Sequence, residues 1–275
     1  MIEKKDAAPV KKYEKLKNIL KGYGSVVVAF SGGVDSTFLL DSALEVLGRD
    51  NVLAVTSCAE TYPDRELEEA RSLAAEIGAE HKIIRTTELD NENFTRNDED
   101  RCYYCKKELL SDLKKVAEKQ GYREVLEGSN YDDSKSEYRP GMKAVEELKV
   151  KSPLKEAKLN KKEIRTLARR RDLPVWDKPS FACLSSRFPY GVKIEEEKLT
   201  RVDEGEDFLQ SFDFDQLRLR HHDDETARIE VDAEELDRVL EHRKEIIEKL
   251  KQLGYTYVTL DIEGYRTGSM NEVIS

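Results

Sequence analysis

Apolar residues at Tyr13, Leu16, Ile19 and Leu20 recur at helical spacing and are followed by Gly22 and Gly24, so a first helix is expected over about 11–22. Val26-Val27-Val28-Ala29-Phe30 is apolar at every position and reads as a strand buried on both faces, over 25–30. The alternation continues with strands at 51–56, 81–84 and 124–127 and a weaker one at 149–151. Helices at 36–47, 64–77, 105–120 and 160–171 separate them, and polar residues 86–100 read as a loop. Such alternation predicts a doubly wound α/β fold, a parallel sheet covered on both faces, with ligands beyond the carboxyl ends of the strands. From 172 to 191 the pattern breaks, because Pro174, Pro179 and Pro189 exclude helix and central strand. Afterwards a helix at 195–211, strands at 216–220 and 227–231, helical residues 233–253 and a strand at 255–260 describe a second, smaller α/β domain. The expected division is 1–175, a loop at 176–191, and 192–275; a length of 275 residues agrees with about two domains.

Charged residues make up 38% of the chain, against roughly 25% in an average soluble protein. The signs nearly cancel, 47 Lys and Arg against 57 Asp and Glu, so the surplus does not prevent a core. The acidic balance argues against a broad nucleic-acid footprint. No apolar run approaches the ~20 residues of a membrane span, and the first residues lack an apolar segment of the secretory kind, so a cytoplasmic protein is expected.

Ser31-Gly32-Gly33-Val34-Asp35-Ser36 follows the first strand and opens a helix. Glycines let the backbone approach an anion, and the free N–H groups and helix dipole bind phosphate. The lysine of the Walker loop is missing, so γ-phosphate transfer is not indicated, and Asp35 is placed to hold Mg²⁺. The alternative is a plain glycine turn.

That segment resembles the signature of the PP-loop ATP pyrophosphatases, which cleave ATP between the α and β phosphates and adenylate the substrate. Arg101-Cys102-Tyr103-Tyr104-Cys105-Lys106, Glu127-Gly128-Ser129-Asn130, residues 179–187 around Cys183, and Gly264-Tyr265-Arg266-Thr267-Gly268-Ser269 narrow the resemblance to the LarE family of sulfur transferases. It runs from about residue 10 to the C-terminus. It implies an adenine nucleotide alpha hydrolase-like fold, with ATP and Mg²⁺, that converts the carboxylates of pyridinium biscarboxylic acid mononucleotide to thiocarboxylates for the nickel-pincer cofactor. Ser31, Gly32, Gly33, Val34, Asp35, Ser36, Thr56, Ser57, Glu127, Gly128 and Asn130 are the candidate ATP contacts.

Four cysteines are present, Cys58, Cys102, Cys105 and Cys183. Cys183 lies in the proline-rich break with Arg187 four residues on and Lys178 five before, an arrangement that suits a nucleophilic thiolate. The alternative is a small buried apolar residue. In single-cysteine relatives the matching residue gives up its own sulfur and becomes dehydroalanine. This chain differs by carrying Cys102-x-x-Cys105, whose thiolates can share a metal or cluster or simply occupy a helix face. Three cysteines imply, by the resemblance, a [4Fe-4S] cluster on Cys102, Cys105 and Cys183; a zinc site is the lesser alternative. Cys58 reads as structural.

Arg218 and Arg220 alternate on one strand and point to one face, where they suit a substrate phosphate. Arg266, between two glycines, and Glu230 join them as substrate-binding candidates. His221-His222-Asp223-Asp224 reads as a polar hairpin tip, and Lys161-Lys162-Glu163 and Arg169-Arg170-Arg171 as solvated helix faces. Cys183, Asp35 and Arg187 are the catalytic candidates. A small nucleotide substrate, a sulfide-donor protein, no membrane, no nucleic acid and a homo-oligomer are expected. The other readings are a tRNA thiolase and a non-catalytic nucleotide-binding sulfur carrier.

Overall fold

The computed structural model describes residues 7–135, 139–179 and 182–274. They fall into two units. The first takes in the chain up to Ala59, then Asp64–Thr86, then Cys102 onward to Pro179; the second takes in Glu60–Pro63, Thr87–Arg101 and the chain from Ala182.

In the first unit β1 (Val26–Ala29) lies between β2 (Val52–Cys58) and β4 (Glu124–Leu126), with β3 (Glu80–Arg85) at the edge beyond β2. All four strands are parallel, and Val26 is level with both Val52 and Glu124. Side chains alternate across a strand, which is why β1 has no polar position. Val26 and Val28 enter a core closed by α1 (Ala7–Tyr23), α2 (Val34–Leu47), α3 (Asp64–Ile77) and α8 (Lys161–Arg170). Val27, Leu53, Val55 and Val125 enter a second core, closed by α5 (Arg101–Gln120) and α6 (Pro140–Glu147). The sheet is doubly wound, as the strand and helix alternation predicts.

Two local expectations change. The strand expected at 149–151 is reduced to a single bridge between Lys151 and Leu126, because Pro153 starts the short helix α7 (Pro153–Glu156) and ends pairing. The loop expected at 86–100 contains the helical turn α4 (Glu92–Thr95), capped by the Asn91 side chain, which accepts from the Asn93 N–H at 3.1 Å.

In the second unit β5 (Leu217–His221) and β6 (Thr226–Val231) form an antiparallel hairpin, and β7 (Tyr257–Leu260) adds parallel to β6. Leu209 of α9 (Glu196–Gln210) and Ile246 and Leu250 of α11 (Arg243–Gln252) pack on Leu219 and Ile229. The helical residues expected over 233–253 form two helices: α10 (Leu236–Glu241) ends and α11 starts around His242, whose ring packs on Phe212 at 4.4 Å. His221 is not part of a solvated tip. It is fully buried between Phe188 and Tyr255, whereas His222 lies in the exposed turn. No described helix is long and apolar enough to cross a membrane.

Candidate active site

The glycine loop lies at the carboxyl end of β1 and runs into α2. Gly32 takes φ +67°, and a Cβ there would come 3.4 Å from the Ala70 backbone, so a larger residue is both strained and crowded. The first helical hydrogen bond runs from the Thr37 N–H to Gly33 O at 3.0 Å, and no side chain caps α2. Its first-turn N–H groups therefore have no helical acceptor and face the anion position. Ser36 Oγ closes the loop by donating to Gly33 O (3.0 Å) and accepting from the Ser31 N–H (3.3 Å).

Gly128 presses on this turn. A Cβ added to it would lie 3.2 Å from Ser36 N. Glu127 beside it is nearly fully buried, held by Lys106 Nζ at 2.8 Å, Ser129 Oγ at 2.6 Å and the Ser152 hydroxyl. Burial pushes its carboxyl up, but Lys106 and the two hydroxyls outweigh that and bring it below the ordinary range. Asn130 Oδ1 accepts from the Asp132 N–H, and its own N–H donates to Asp133, so it shapes the turn. Thr56 Oγ1 donates to Phe30 O at 2.7 Å and stands 2.8 Å from His81 Nε2; Ser57 Oγ meets Thr86 Oγ1 at 2.7 Å.

Asp35 is the ionisable group of the loop. Its Oδ2 receives Lys161 Nζ at 2.5 Å, while Oδ1 is buried and makes no hydrogen bond. Burial raises its carboxyl, with Lys161 opposing. A buried carboxylate oxygen left over beside a phosphate loop is the donor that Mg²⁺ requires. Lys161 is not the solvated residue its sequence suggests. Nor is Arg171, which pairs with Asp41 and with Glu45 at 2.5 Å; Arg169 is exposed as expected, lying over the Trp176 ring at 4.7 Å.

Cys102 lies on the first turn of α5 and Cys105 at the start of the second, one exposed and one half-buried, and no cysteine of the chain is in a disulfide. Their i, i+3 spacing puts both on one face. Lys178, read as a neighbour of the reactive thiol, is paired with Glu66 at 2.9 Å and Glu69 at 2.8 Å.

The second unit holds Cys183, whose Sγ stands 3.0 Å from Ser185 Oγ. Ser180 and Phe181 of its motif lie outside the described residues. The loop is gripped from within this unit. Arg187 Nη1 donates to Ala182 O at 2.6 Å and Cys183 O at 3.2 Å, and the rest of its guanidinium pairs with Glu206. Arg101 donates to Ser185 O at 2.9 Å, and Asn97 Nδ2 to Pro189 O at 2.7 Å and Val192 O at 3.0 Å. The Leu184 N–H donates to Thr61 O. Arg187 thus acts here as a positioning group for the Cys183 loop. Sequence reasoning missed Arg101, Asn97 and Glu206, although Arg101 directly precedes Cys102.

Arg218 is level with Glu230, and Arg220 with Arg228, on one face of the hairpin. Glu230 is fully buried between Arg220 (2.6 Å) and Arg228 (3.0 Å), so it orients two arginines. Arg220 also donates to Ser186 O at 3.0 Å, and its buried Nε makes no hydrogen bond. Arg218 lies over the Tyr265 ring at 5.1 Å, its guanidinium depressed by burial and by neighbouring Arg187. Arg266 is held by Glu263 at 3.0 Å and Glu272 at 3.3 Å. Arg228 was missed, though it stands two residues from Glu230 with the same period-2 alternation as Arg218 and Arg220. Clustered arginines with a buried donor that makes no hydrogen bond are of a kind that suits an anion.

A family model described as NAD synthase matches residues 10–120. An uncharacterized protein of Synechocystis is 40% identical over 266 residues, 95% of this chain and 98% of that protein. The pyridinium-3,5-bisthiocarboxylic acid mononucleotide synthase of Lactiplantibacillus plantarum is 40% identical over 256 residues, covering 93% of this chain and 92% of the relative. An uncharacterized protein of Methanocaldococcus jannaschii is 31% identical over 94% of the chain and 98% of its own length.

Proposed function

Because this chain belongs to the LarE family, the PP-loop sulfur-transferring synthases of pyridinium-3,5-bisthiocarboxylic acid mononucleotide, we propose that it uses ATP to convert the carboxylates of pyridinium biscarboxylic acid mononucleotide to thiocarboxylates. The observation that carries this reading is the 40% identity to such a synthase along 93% of the chain, through both units.

The substrate carboxylate attacks the α-phosphorus of ATP and the α–β bridging bond breaks, so the electron pair leaves with pyrophosphate and the acyl group is left as its adenylate. Ser31, Gly32, Gly33, Val34 and Ser36 cradle the phosphates with backbone N–H groups and hydroxyls. Thr56 and Ser57, with their hydroxyls engaged inside the unit, meet adenine through backbone atoms. Gly128 lets the 127–130 turn, with Glu127 and Asn130, support the loop. Asp35 Oδ1 would hold Mg²⁺, which neutralises the departing pyrophosphate. Arg218, Arg220 and Arg266 bind the substrate's phosphate, and Glu230 fixes Arg220. Positioning and electrostatics carry this step. A sulfur nucleophile then replaces AMP at the acyl carbon.

For the sulfur source we propose a [4Fe-4S] cluster on Cys102, Cys105 and Cys183. The donor set suits it, with two helix-borne thiols at i, i+3 and a third on a firmly held loop. When bound, such a cluster supplies inorganic sulfide for transfer. The same reading takes in a sulfide-donor protein, a cytoplasmic location and a homo-oligomer.

The test is an iron and acid-labile sulfide assay, with an absorption spectrum, on chain reconstituted without oxygen, beside Cys102→Ala. About four irons per chain, lost in the variant, are expected. A colourless protein that thiolates once and loses the Cys183 sulfur would overturn the cluster and make Cys183 a sacrificial donor.

A further inference from the structure

The helix α8 sorts its cations by face. Ile164, Leu167 and Ala168 are buried, and the cations at its two ends find carboxylates: Lys161 meets Asp35, and Arg171 meets Asp41 and Glu45. Lys162, Arg165 and Arg169 stand at i, i+3 and i+7 and share the outer face. With Trp176 they line a groove of about 820 Å³.

A merely solvated face leaves long side chains free to move. Here two of the three cations are held, yet not neutralised. Arg165 Nη2 donates to Lys178 O at 2.8 Å, and the Arg169 guanidinium lies over the Trp176 ring at 4.7 Å. A carbonyl and an aromatic face orient a guanidinium without cancelling its charge. Trp176 is itself packed against the first core, so the platform under Arg169 is firm. Among the described residues, none of Lys162, Arg165 and Arg169 pairs with a carboxylate, although the chain has 57 acidic residues against 47 basic ones. Side chains ordered in advance lose little entropy on binding, and Trp with Arg is the combination that anchors protein interfaces.

We infer that the outer face of α8 docks a carboxylate-rich segment of a partner protein, a contact that the synthase chemistry itself does not require. Arg165 and Arg169 each take a carboxylate through the planar guanidinium fork, Lys162 adds a third positive charge, and Trp176 packs against the segment's aliphatic stems. A nucleic acid suits the groove less well. Its strand would run on over the surface of a chain whose formal net charge is −10, where phosphates are repelled, whereas a short acidic segment ends within the groove.

Trp176 is the chain's one tryptophan, so its emission reports occupancy of this groove. The experiment titrates labelled decaglutamate, decaglutamine and decauridylate against the full chain, reading both Trp176 emission and the anisotropy of the label. Decaglutamate is expected to change the emission saturably and to bind more weakly as salt rises, and decaglutamine to leave it unchanged. Arg165→Gln combined with Arg169→Gln, which keeps helix propensity, is expected to weaken decaglutamate about tenfold or more. Lys162→Gln removes no contact of the fold and is expected to weaken it severalfold, so the outcome does not depend on how well the double variant folds. Lys244→Gln, at an exposed cation of α11, is expected to match the parent. Silence of Trp176 toward decaglutamate would overturn the inference. So would a Lys244→Gln loss equal to that of Lys162→Gln, which would mean that binding follows net charge alone. Decauridylate binding as tightly as decaglutamate would make the groove a nucleic-acid site and overturn it as well.

Discussion

Arg187 and Glu206 meet side-on inside the second unit, Nε to Oε1 at 2.8 Å and Nη2 to Oε2 at 2.9 Å, with neither side chain more than 2% exposed. The Arg187 Nη1 that remains holds the carbonyls of Ala182 and Cys183. The ion pair therefore links α9 to the backbone that carries Cys183. Removing one partner of such a pair strands a buried charge, at about 3–5 kcal/mol. Glu206→Ala is expected to lose that much in urea unfolding of the second unit's transition, and to lose thiolation while nucleotide binding persists.

Acid should unfold the chain through the same residue. Burial raises the Glu206 carboxyl, but Arg187 and the Leu219 N–H override this and depress it. A depressed carboxyl contributes stability that is fully present above its unfolded value of about 4.3 and is lost as pH falls through the lower folded value. Glu127, depressed by Lys106, adds to the same limb. Melting temperature measured from pH 6 downward should fall steeply below about pH 4, and Glu206→Gln should flatten part of that fall.

A milder acid effect belongs to His221. Burial depresses its imidazole, Lys198 and Arg201 add to this, and Asp224 opposes it. The unfolded chain binds that proton more readily, so stability declines as pH drops below about 6.5. His81, depressed by burial and Arg71, shares the window. His221→Phe should reduce the decline between pH 7 and pH 5 in melting experiments, with His81 responsible for the remainder.

Gly128→Ala tests the phosphate loop without touching a charged group. The added methyl would stand 3.2 Å from Ser36 N, so the amide must shift by a few tenths of an ångström. ATP affinity, measured by calorimetry, should fall about tenfold, while melting changes by about 1 kcal/mol or less.

Arg218→Ala separates substrate from nucleotide. Losing a charged donor to phosphate costs about 1.5–3 kcal/mol, so the pyridinium mononucleotide should bind more than tenfold more weakly. AMP binding should be unchanged.

The parallel sheet and the phosphate loop were legible because their signals are local. An all-apolar run such as Val26–Phe30 suits only a strand covered on both sides, and two glycines between strand and helix mark a close backbone approach. That Arg218 and Arg220 share one face of their strand was legible through the period of two. The strand at 149–151 misled because a short β-like pattern carries no information about the proline-led helix that replaces its pairing. Lys161 and Arg171 misled because a charged helix face looks the same whether water or a distant carboxylate receives it.

By itself, then, the sequence determined the alternation of the main strands and helices, the glycine loop after β1, the cysteine inventory and the resemblance that proved to be kinship, since periodicity, turn chemistry and motif spacing depend on neighbouring residues alone. Only the tertiary structure decided which charges meet: Lys161 with Asp35 across 126 residues, Arg187 with Glu206, Arg101 with the Ser185 carbonyl across 84. Those pairings depend on how helices and loops pack after the chain has folded. Burial then gives each pair an energy that the same residues would not have in water.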